Sequence, residues 1–78
     1  MGRKMALNDE KIRSMFTDEE WSEMLDIFRR SLNAGKHSPA IAYFLQRQII
    51  NLYAKHRLGN QAEVVFDVLN RELLERWR

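Results

Sequence analysis

The sequence predicts an all-α fold: a compact bundle of three main helices with a short N-terminal one. Three observations predict it. Helix-start residues stand at intervals along the chain, at Asn8, Thr17, Ser38-Pro39 and Asn60, and stop signals stand at Gly35 and Gly59. Between them apolar residues recur at three- and four-residue spacing. No segment alternates with the period of two that a half-buried strand needs, and the β-branched pairs Ile49-Ile50 and Val64-Val65 lie inside helical periods.

The first helix is predicted over residues 9–15. Asn8 is its cap, Leu7 is spaced to staple onto Ile12, and Asp9 and Glu10 suit its positive end. The second helix is expected over residues 18–33. Thr17 and Glu20 form a capping box, with Phe16 and Trp21 as the hydrophobic staple around it. Trp21, Met24, Leu25, Phe28 and Leu32 give this helix one apolar face, and Gly35 is expected to end it in a left-handed conformation. Ser38 caps the third helix, and Pro39 takes its first position, where a missing N–H costs no hydrogen bond. That helix is expected to reach Arg57 or Leu58. Its main face is Ile41, Leu45, Ile49 and Leu52, flanked by Ala42 and Tyr53, and Tyr43, Ile50 and Ala54 make a second apolar row. Two apolar sides predict neighbours on both, at the centre of the bundle or in an oligomer. After a tight corner at Gly59, the last helix is expected from Gln61 to about Trp77. It buries Ala62, Val65, Phe66, Leu69 and Leu73 and leaves Val64 and Val68 on a flank.

At 78 residues the chain is one domain, 1–78, with residues 1–7 expected as a flexible arm. A chain so short buries roughly 60–65% of its unfolded surface, so a partner chain is a natural source of further stability. With no cysteine there is no disulfide framework and no thiolate metal site. The net charge of +2 is too small to point to nucleic acid by itself. The N-terminus lacks the apolar region of a signal peptide and does not fit the myristoylation pattern, and no apolar stretch approaches a membrane span. The expected location is cytoplasmic. A short cysteine-free binder of this kind suits a bacterial or phage accessory protein.

Catalytic chemistry finds little support. No Ser or Thr has the strand-turn setting of an activated nucleophile, and Glu19, Glu20 and Glu23 are explained as acids near a helix start. His37 lies in a loop, and His56 is expected on the buried side of the third helix, near its free carbonyls. No cofactor, metal or small-molecule substrate is implied. Protein binding is the first expectation, with a homodimer as one form of it. It rests on apolar residues that fall outside the core stripes: Ile27, Tyr43, Ile50, Ala54, Val64 and Val68, joined by Trp77. A nucleic-acid-binding regulator is the alternative. Phe44, Arg47, Gln48, Asn51 and Lys55 gather an aromatic, two amides and two cations on one side of the third helix. The corner at Gly59 resembles a helix-turn-helix turn only loosely, because Glu63 and Asp67 would meet phosphates with the wrong charge.

Overall fold

The caps decide where the helices begin. In the computed structural model, residues 8–76 are described, and the expected arm at residues 1–7 and Trp77 lie outside them. Helix α1 is Asp9–Ser14, opened by Asn8, whose Oδ1 accepts the Lys11 N–H at 2.8 Å. Helix α2 is Asp18–Ala34. Its capping box is complete: Thr17 Oγ1 accepts the Glu20 N–H at 3.0 Å, and the Thr17 N–H donates to Glu20 Oε1 at 3.0 Å. The Phe16 and Trp21 rings sit 5.7 Å apart behind it. Thr17→Ala removes the Oγ1 half of this pair at an exposed helix end and keeps the backbone N–H that donates to Glu20, and we expect it to lower unfolding free energy by about 1 kcal/mol. Urea denaturation measures it, and an unchanged midpoint would contradict it.

Helix α3, Pro39–Ile49, starts from Ser38, whose Oγ accepts the Ile41 N–H at 3.3 Å. It continues without a break through a π-helical turn, Ile50–Ala54, into α4, Lys55–Leu58. The three pieces make one rod over residues 39–58, which ends where predicted. Gly59 then takes a positive φ of 56°, the backbone state that favours glycine. A 3₁₀ turn, Gly59–Gln61, leads to α5, Val64–Arg76. The last helix therefore starts later than expected, and Asn60 caps nothing. Successive i→i+3 bonds, Ala62 N–H to Gly59 O and Val65 N–H to Ala62 O, carry the chain round instead. Gly35 also departs from expectation. Its φ of −61° is right-handed, and the turn into α3 is closed by the Ser38 N–H donating to Ala34 O at 2.7 Å.

The central element is α2, not the third helix. α2 packs against α3 on one side and α5 on another, and α1 lies on α5. One apolar cluster fills the space between them: Ile12, Phe16, Trp21, Met24, Leu25 and Phe28 meet Ile49, Ile50, Ala54, Val65, Leu69 and Leu73. Phe28 stacks on Phe66 with centroids 5.7 Å apart, and Trp21 Nε1 donates to Glu72 Oε1 at 2.8 Å, pinning α2 to α5. Leu32, expected in the core, is largely exposed. Ser31 is buried in its place, donating to Phe28 O at 2.7 Å while facing Gln46 of α3. A small hydroxyl that returns its hydrogen bond to its own helix lets α2 and α3 approach closely.

Candidate functional site

The π turn decides which side of the rod faces water. Its hydrogen bonds reach five residues back, as the Lys55 N–H to Ile50 O bond does, so each residue turns through a smaller angle than in an α-helix. Leu52 therefore falls behind the stripe of Leu45 and Ile49, while Tyr53 and Ala54 come round to the packed side. Leu52 is 57% exposed and Ala54 fully buried. Ile41, 54% exposed, and Phe44, 62% exposed, stand on the same outward side as Leu52, eight or more residues before it. Gln48 lies between them, half-buried. Of the large apolar side chains that are exposed among the described residues, Ile41, Tyr43, Phe44 and Leu52 belong to this rod, and Leu32 and Leu74 lie elsewhere. The main face expected for the third helix thus holds at Ile49 and partly at Leu45, and fails at Ile41 and Leu52.

The residues predicted to form a protein interface separate into three groups. Ile50, Ala54 and Val68 are core residues, at 4%, 0% and 6% exposure, so none of them forms a free surface. Ile50 is covered where the rod meets the start of α5, beside Ala62. Ile27 and Val64 are half-buried against the same core. Tyr43 stays exposed, and Trp77 lies outside the described residues. Among the described residues Tyr43 is the one member of that set that is exposed, and Ile41, Phe44 and Leu52 are exposed on the same rod. Two of these three carried core assignments, because a regular α period places them inward; Phe44 was read as part of a nucleic-acid face.

The set predicted for nucleic acid does share a side. Phe44, Asn51 and Lys55 are exposed, and Arg47 and Gln48 are half-buried on the same rod. Arg47 and Lys55 border a small cleft of about 160 Å³ at the junction with α5, with Glu63 on its far lip. No acidic residue occurs anywhere in residues 36–62, a signal present in the sequence that marks the rod as the cationic part of the molecule. Lys36, Arg47 and Lys55 make no ion pair among the described residues.

Other charged groups are occupied in holding the fold. Arg71 chelates Asp9, with both bonds at 2.6 Å, and ties α1 to α5; the guanidinium's hydrogen bonds hold the Asp9 carboxyl below the usual carboxylate range. Arg57 reaches Glu20 at 2.8 Å and lies over the Phe16 ring, 5.1 Å from its centroid. The Glu20 carboxyl is held low, first by the Thr17 N–H and then by Arg57. Tyr53 donates to Glu23, and that bond, with burial and the charges of Glu23 and Glu20, pushes its phenol up to about 12. Glu20 and Glu23 are thus structural acceptors, and no group of three or more metal-ligating side chains forms among the described residues. His56 is exposed rather than buried, four residues after Leu52 on the rod.

Open grooves also lie away from the rod. One, of about 680 Å³, runs between α1 and α5, but its arginines already hold acids: Arg71 with Asp9, Arg76 with Glu72 and Arg13 with Asp18. Another, of about 330 Å³, lies between α2 and α5 and accounts for the exposed Leu32 and Leu74. Among the described residues no helix is long and apolar enough to cross a membrane. In comparisons with known proteins, no family model, no curated protein and no solved structure matches this chain.

Proposed function

We propose that this protein is a small regulatory or adaptor protein that works without catalysis, by binding another protein through the outward side of the rod at residues 39–58. The supporting observation is the row of Ile41, Phe44 and Leu52, each more than half exposed on one side of one helix. Scattered exposed apolar residues are ordinary. Three on one helical side, with Ile41 one turn before Phe44 and Leu52 two turns after it beyond Gln48, form a row whose burial returns roughly 1 kcal/mol or more per side chain. Aromatic anchors such as Phe44 and Tyr43 are the residues that dominate protein interfaces. Nucleic-acid binding is the second reading, favoured by the acid-free stretch and by Arg47 and Lys55, which make no ion pair among the described residues. Ile41 and Leu52 count against it, because phosphate contacts would leave them in water.

The test uses Ile41→Asp and Phe44→Asp. Both sites are on the surface, so each variant should keep its helical circular dichroism and stay within about 0.5 kcal/mol of the parent in stability. A protein retained by the parent on an affinity column and then bound in purified form should be lost from both variants, with at least a tenfold weaker Kd. Unchanged binding by both folded variants would reject the surface. Retention that nuclease abolishes would select the second reading.

A further inference from the structure

The borders of the apolar row specify what can cover it. We infer that its occupant is an acidic amphipathic helix of a different protein, lying along the rod with its apolar side on Ile41, Phe44 and Leu52. This rests on the protein-binding reading of the same surface. The row spans eleven residue steps, roughly 16 Å at helical rise, which matches about three turns of a partner helix presenting its apolar stripe from i to i+11.

Charge decides the partner's flanks. Arg47 follows Phe44 by three α-helical residues and so borders the row, while Lys55 comes after the π turn and stands with Arg47 at the cleft that Glu63 also lines. Neither makes an ion pair among the described residues, and both lie in the stretch that has no acid. A partner with Glu or Asp beside its apolar stripe satisfies them; a partner with Lys or Arg there is repelled. The same feature disfavours a second copy of this chain. A two-fold contact through the rod would set one acid-free helix against another, and in the antiparallel arrangement the Arg47–Lys55 edge would face its own image.

The probes are three synthetic amphipathic peptides of about 18 residues, long enough for several turns. They share one leucine stripe and differ in carrying Glu, Gln or Lys beside it, and binding is read by fluorescence anisotropy with the full chain. The Glu peptide is expected to bind about tenfold more tightly than the Gln peptide at low salt, and the Lys peptide least. Raising the salt should shrink that spread. The double variant Arg47→Glu/Lys55→Glu should reverse the order, and Phe44→Asp should weaken all three. Equal affinity for the three peptides, lost in Phe44→Asp, would overturn the acidic partner and leave the protein-binding surface standing. No binding by any peptide would overturn both. Glu-peptide binding that survives Phe44→Asp and is displaced by an oligonucleotide would assign the edge to polyanions and overturn both. A dimer in light scattering that dissociates in Phe44→Asp would make the occupant a second copy and overturn the acidic partner alone.

Discussion

Trp21→Ala should leave the protein unfolded or barely folded, with a loss of about 3–5 kcal/mol. Trp21 is 2% exposed and joins three parts of the molecule. Its ring meets Phe16 at the start of α2, Arg13 of α1 lies 5.3 Å from its centroid, and its indole N–H holds Glu72 of α5. Truncation opens a cavity at the point where α1, α2 and α5 converge and leaves Glu72 with Arg76 alone. Domains carry only roughly 0.05–0.15 kcal/mol of stability per residue, so a loss of that size takes most of what a short chain has. Trp21→Phe keeps an aromatic ring in the core and gives up the indole hydrogen bond, so it should cost less, about 1–2 kcal/mol. Urea denaturation followed by far-ultraviolet circular dichroism separates the two. A loss below about 1 kcal/mol for Trp21→Ala, the size of an average point mutation, would show that α5 is not anchored there.

What was legible in the sequence is local. Asn8, Thr17 and Ser38 cap the helices they were expected to cap because each needs only its own hydroxyl or amide and an N–H three residues on. Gly59 was legible as the end of the rod, but the left-handed state expected at Gly35 did not appear, because the Ser38 N–H closes that turn onto Ala34 with Gly35 right-handed. The errors lie where a neighbouring element decides. Asn60 lost its cap because the 3₁₀ turn satisfies the backbone first. Leu32 lost its burial because it faces the open groove between α2 and α5, and Ser31 gained it because α3 comes close there. The candidate surface suffered most. Its third-helix members were deduced by assuming one helical period, which the π turn changes after Ile49, whereas Val68 is buried on α5 by the packing of that helix. The charge pattern of that helix needed no period, and it still marks the same rod.

A pair of substitutions separates the two periods directly. Ile50 is 4% exposed and Leu52 is 57% exposed. Ile50→Asp places a carboxylate beside Ala62, inside the cluster that holds Val65 and Leu69, with loss of the isoleucine's burial added to the cost of desolvating a polar group. We expect a loss of at least about 3 kcal/mol, most of the roughly 4 kcal/mol at the low end of what a chain of this length carries. Leu52→Asp changes a side chain that already faces water, so stability should stay within about 0.5 kcal/mol of the parent. The same variant should weaken partner binding, because Leu52 is part of the row that binding would bury. With a regular α-helix whose face is Ile41, Leu45, Ile49 and Leu52, the two results would change places: Leu52→Asp would unfold the protein and Ile50→Asp would be tolerated. Thermal unfolding of the two purified variants therefore reads out the register of the rod, and with it which side is free to meet a partner. The π turn is then more than a local irregularity. By carrying Leu52 to the outside and Ala54 to the inside, it converts a helix with two apolar sides into one packed side and one free one.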